Sequence, residues 1–97
     1  MNKTKAEIHA QICAELNATY KRKNADYGDS FSLLREEYPD AILIRLTDKL
    51  NRLKTLFTSE AQVTDESVRD TLLDLANYAI LELVEMEIEN DRQRKEA

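Results

Sequence analysis

One glycine and one proline occur in the whole chain, and tryptophan is absent. Strands joined by tight turns need more of the first two, so their scarcity argues for helices. Valine, threonine and aromatic residues are also too thinly spread for a sheet protein. The expected fold class is therefore all-α. Positive charge is in deficit, with 14 Lys and Arg against 19 Asp and Glu and a net charge of -5. That excludes a general grip on nucleic-acid backbone, which needs clustered cations. No apolar run approaches membrane-spanning length, and the N-terminus lacks the apolar stretch of a signal peptide. A soluble intracellular protein with no membrane partner is expected. The single Cys13 has no internal disulfide partner and reads as a small core or interface residue. The single His9, with no second histidine and no cysteine near it in the pattern, does not predict a zinc site. One histidine serves no Ser-His-Asp or Cys-His set, and one glycine makes no phosphate-binding loop. Too few aromatic residues stand among basic ones for single-strand binding.

What is present is helical periodicity over 97 residues, enough for one domain. Thr4 and Glu7 form a capping-box pattern that opens a first helix running to about Lys23. The stretch from Lys23 to Ser30 holds Gly28 between Tyr27 and Asp29 and predicts a turn. Asp29 or Ser30 can cap a short second helix, Phe31 to Glu37, with Phe31, Leu33 and Leu34 inward. Pro39 stops it, and Asp40 caps a third helix from Ala41 to Phe57. Ile42, Leu43, Leu46, Leu50, Leu53 and Phe57 make its apolar arc, opposite Arg45, Asp48, Lys49 and Arg52. The organising element is a long fourth helix, Asp65 to about Glu89, with Thr64 as N-cap. Its expected core face is Val68, Leu72, Leu75, Ala76, Ala79, Ile80 and Leu83. The charged tail after Asn90 is expected to fray. The architecture is an antiparallel bundle of three substantial helices plus one short helix, with a long C-terminal helix. That last helix outruns its neighbours, so a homo-oligomer, first a dimer, is expected.

The row Glu66, Asp70, Asp74 and Asn77 sits at i, i+4, i+8 and i+11, which is also what a plain solvated face looks like. If the third and fourth helices pack antiparallel, Asp48 approaches Asp70 or Asp74. Carboxylates meeting without histidine or thiolate specify a hard cation, normally Mg²⁺. Arg45, Lys49 and Arg52 would then neutralise phosphate charge, Tyr27 could stack on a base, and Gly28 would allow close approach. The bland alternative is an ion-pair ladder in which Asp48 joins Arg45 and Arg52 one turn away on either side.

Three blocks carry a resemblance: Lys23-Asn24-Ala25-Asp26-Tyr27-Gly28-Asp29-Ser30-Phe31, then Ile42 to Leu53, then Asp65 to Ala79. In this order they resemble the nucleotide modification associated domain 1 family of phage and bacteria. The resemblance implies a phage- or prophage-encoded protein of the bacterial cytoplasm that handles a nucleotide. A more distant likeness is to the all-α nucleotide pyrophosphohydrolases of the MazG and dimeric dUTPase type, which bind Mg²⁺ through carboxylates on two antiparallel helices. Where those enzymes carry a run of glutamates, the third helix here offers Asp48 among positive residues, and Glu36 and Glu37 lie on the short helix. On this reading Asp48, Asp70 and Asp74 hold Mg²⁺, with Glu66 and Asp74 catalytic, Glu66 as the water-activating base. Lys23, Asp26, Tyr27, Gly28, Ser30, Arg45, Lys49, Arg52 and Asn77 bind the nucleotide. The alternatives are a non-catalytic nucleotide-sequestering protein and a helical protein-protein adaptor.

Overall fold

The structure is a computed structural model. It describes residues 2–27, 29–58 and 65–96, and the side chains of all of these but 25–27, 65 and 66. Four helices follow one another: α1 (Lys5–Tyr27), α2 (Ser30–Glu37), α3 (Ala41–Thr58) and α4 (Asp65–Glu96), with no strand among the described residues. The chain divides into two compact units, Met1–Ser30 and Phe31–Ala97.

In the first unit the capping box forms as the sequence predicts. The Glu7 amide donates to Thr4 Oγ1 at 3.1 Å, and the Thr4 amide donates to Glu7 Oε1 at 3.3 Å. Two amide donors that open the helix are thereby satisfied reciprocally. α1 then runs on to Tyr27, past the expected end at Lys23. Asn24, Ala25 and Asp26 contain no helix breaker, so the helix continues until the chain reaches Gly28. His9 and Cys13 are one turn apart and in contact, Nδ1 to Sγ 3.8 Å, so the histidine does have a cysteine beside it.

The second unit is a hairpin of α3 and α4 with α2 laid against it. At the α2–α3 corner the Ala41 amide donates to the Tyr38 carbonyl at 2.9 Å, and the Leu43 amide to the Asp40 carbonyl at 3.0 Å. Backbone groups around Pro39 thus start α3. The antiparallel pairing of α3 and α4 is read directly from side chains. As the α3 partner advances from Arg45 to Lys49 to Arg52, the α4 partner retreats from Tyr78 to Asp74 to Thr71.

The faces that meet are the expected ones only in part. Only Ala41 and Thr71 are fully buried among the described residues, and both are small. Ile42, Leu46 and Leu53 of the expected α3 core are half-buried, whereas Leu43, Leu50 and Phe57 are exposed, Phe57 at 69 %. Val68, Leu75 and Ala76 of the expected α4 core are half-buried, whereas Leu72, Ala79, Ile80 and Leu83 are exposed, and Asp74 and Asn77 of the expected solvated row are half-buried. On α2, Phe31 and Leu34 are half-buried but Leu33 is 67 % exposed. α4 is helical to Glu96, past the expected end near Glu89, over 32 residues or about 48 Å. Arg94 pairs with Asp91 in its last turns, and basic residues there suit the negative end of the helix dipole.

Candidate functional site

Three cations of α3 border the seam with α4. Arg45, Lys49 and Arg52 stand at i, i+4 and i+7, the spacing that puts them on one helix face. Each reaches a different α4 group. Lys49 Nζ pairs with Asp74 Oδ2 at 3.2 Å, both side chains partly screened from water. Arg52 Nε donates to Thr71 Oγ1 at 3.3 Å. The Thr71 hydroxyl in turn donates to the Ser67 carbonyl at 2.8 Å, so a buried hydroxyl gives one hydrogen bond and accepts one. Arg45 lies over the Tyr78 ring, 5.9 Å from its centre, close enough for a cation–π attraction. Tyr78 is braced from its other neighbour by Phe31, ring centres 6.3 Å apart.

Asp48 sits on α3 between Arg45 and Arg52 and is exposed, but neither arginine pairs with it. The ion-pair ladder is therefore absent. Both arginines turn toward α4, where a ring face and a buried hydroxyl offer less competition from water than an exposed carboxylate. Asp70 is exposed and Asn77 half-buried on the flank of α4 that also carries Asp74. Among the described residues no three of His, Cys, Asp and Glu gather closely enough to hold a metal ion. Asp74 meets a cation of its own chain instead. Lys23 is exposed on α1, and Ser30 is exposed at the start of α2. Gly28 and the side chains of Asp26, Tyr27 and Glu66 lie outside the described residues.

A second polar cluster escaped the sequence reading. Arg35 of α2 grips Glu82 with Nε and Nη2, each 3.1 Å from Oε2, and holds Glu89 Oε1 with Nη1 at 2.7 Å. Glu82 and Glu89 are seven residues apart, so one planar guanidinium bridges two turns of α4. The hydrogen bond from Arg35 holds the Glu89 carboxyl below its ordinary range. The same two carboxylates, Glu89 first, raise Arg35 further above an already high value. Tyr78, Thr71 and Arg35 were all missed. Tyr78 had a signal, since it adjoins Asn77 inside the third block; Arg35 had none, because its partners lie about fifty positions away.

Every residue of the seam falls in the stretch that matches a known family. A family model described as nucleotide modification associated domain 1 matches residues 23–86, about two-thirds of the chain. The chain belongs to that family. In this chain the match to the nucleotide modification associated domain 1 family runs from the end of α1 through α2 and α3 to Met86 of α4. Most of α1 and the last turns of α4, Glu89 included, lie outside the family match. No curated protein and no solved structure matches the chain. No helix among the described residues is long and apolar enough to cross a membrane.

Proposed function

We propose that this chain handles a nucleotide, and that it binds the phosphates rather than cleaving them. One observation carries the reading: Arg45 and Arg52 are exposed, flank Lys49 on one face of α3, and each spends a single contact on α4. Their remaining guanidinium donors have no partner among the described residues. Two such forks, two helical turns or about 10 Å apart along α3, can turn to one polyphosphate. The family description, with its reference to nucleotide modification, supplies the ligand class. Asn77, half-buried on α4, is the group proposed to meet base or sugar.

Binding is favoured over hydrolysis because Asp74, proposed as metal ligand and catalytic group, is engaged by Lys49. The described carboxylates do not make a three-ligand centre, so no hydrolytic step is derived through Mg²⁺. The cation enters instead as a variable of the test. The exposed apolar positions of α3 and α4 support the accompanying proposal that the chain works as a homo-oligomer.

The test is thermal unfolding with nucleoside mono-, di- and triphosphates, with and without Mg²⁺, followed by product analysis of any hit. At about one hundred times Kd a ligand stabilises the fold by roughly 2.7 kcal/mol, a shift of several degrees in Tm for a domain of this size. A shift abolished by the Arg45→Ala, Arg52→Ala double variant and unaccompanied by product supports binding. A shift with Mg²⁺-dependent product, lost in Asp74→Asn, would establish the hydrolase instead. No shift for any nucleotide would leave the adaptor as the reading to pursue.

A further inference from the structure

The outer face of α4 carries a stripe at Leu72, Ala76, Ala79 and Leu83, with spacings of four, three and four. That is the seam one helix presents to another. Leu72 and Leu83 are 49 % and 57 % exposed, and Ala79 is exposed too. The stripe reads large-small-small-large and is a palindrome about the midpoint between Ala76 and Ala79. Laid antiparallel on a copy of itself, Leu72 meets Leu83, Ala76 meets Ala79, and the reverse contacts are identical, as a twofold interface requires.

We propose that α4 pairs with α4 of a second copy of this chain, antiparallel, about a twofold axis passing between Ala76 and Ala79. The proposal rests on the homo-oligomer reading and names its interface. Charge supports a second copy as the occupant: Arg69 at one end of the stripe and Glu87 at the other, both exposed at its edge, come face to face across this axis.

The experiment uses the full chain. Its mass in solution is measured by light scattering across a concentration series. A Cys13→Ser, Ala76→Cys, Ala79→Cys variant is then oxidised and the linked peptides are mapped. The expected results are twice the chain mass and a disulfide joining position 76 of one copy to position 79 of the other. Ala79→Asp, which buries an unpaired charge only if the stripe is covered, is expected to raise the dissociation constant more than about 100-fold with helicity by circular dichroism retained. A monomer at every concentration would overturn this interface and the homo-oligomer reading together. A dimer indifferent to Ala79→Asp and without the 76-to-79 link would overturn the interface alone.

Discussion

Arg35 is the side chain on which the position of α2 most depends. It donates to two carboxylates of α4 while four-fifths of its own surface is screened from water. Arg35→Ala is expected to destabilise the fold by about 1–2 kcal/mol, mainly by leaving the half-buried Glu82 without its partner. Arg35→Lys is expected to recover only a fraction, since an ammonium cannot make the bidentate grip. Urea unfolding of the three proteins measures both. The same pair sets a pH dependence. The Glu89 carboxyl is held below its unfolded value of about 4.3, so it contributes stability at higher pH. That contribution is fully present above the unfolded value and is lost as the pH falls through the folded one. Unfolding midpoints measured from pH 6 to pH 2 are expected to fall more steeply for the wild type than for Glu89→Gln, with the two curves converging at the acid end.

At the scale of elements, capping and breaking chemistry was legible and facing was legible only in part. The Thr4–Glu7 box starts α1 where the sequence puts it. Thr4→Ala is expected to cost α1 about 1 kcal/mol, read as faster amide exchange over the first two turns of α1. The boundaries of α2 and α3 were readable within a residue or so, because Pro39 and the Asp29-Ser30 pair leave few choices. The end of α4 was not readable. Its last turns are stabilised by contacts across the fold, Glu89 with Arg35, as well as by the local Asp91–Arg94 pair. A tail judged only by its charges looks solvated. Facing was legible only in part, for a different reason. α3 and α4 carry apolar residues over more than half their circumference, so a wheel picks the richest arc as the core. The contact takes only part of each arc, with Leu46, Leu53 and Leu75 half-buried, and leaves Leu43, Leu50, Leu72 and Leu83 exposed.

For the whole molecule, the exposed Leu72 and Leu83 bear on whether stability depends on concentration. If a second copy covers α4, folding and association are linked, and Tm rises with protein concentration by mass action. Calorimetry over a hundred-fold range of concentration is expected to show that rise for the wild type and none for Ala79→Asp. The nucleotide reading and the dimer occupy different faces: the Arg45, Lys49 and Arg52 flank borders the seam with Asp74, and the Leu72 to Leu83 stripe looks away from it. Arg45→Ala with Arg52→Ala is accordingly expected to leave the dimer mass unchanged.

By itself the sequence determined that this is an all-helical chain, where each helix begins, and which blocks place it in its family. These are local facts, set by glycine and proline scarcity, caps and 3.6-residue periodicity. Only the tertiary structure decided which groups the α3 cations meet. A row of acids at i, i+4 and i+8 is compatible with water, a metal ion or a lysine. The choice of Lys49 for Asp74, Thr71 for Arg52 and Tyr78 for Arg45 follows from the register of two antiparallel helices. That register pairs residues far apart in the chain, and no local pattern encodes which of them meet.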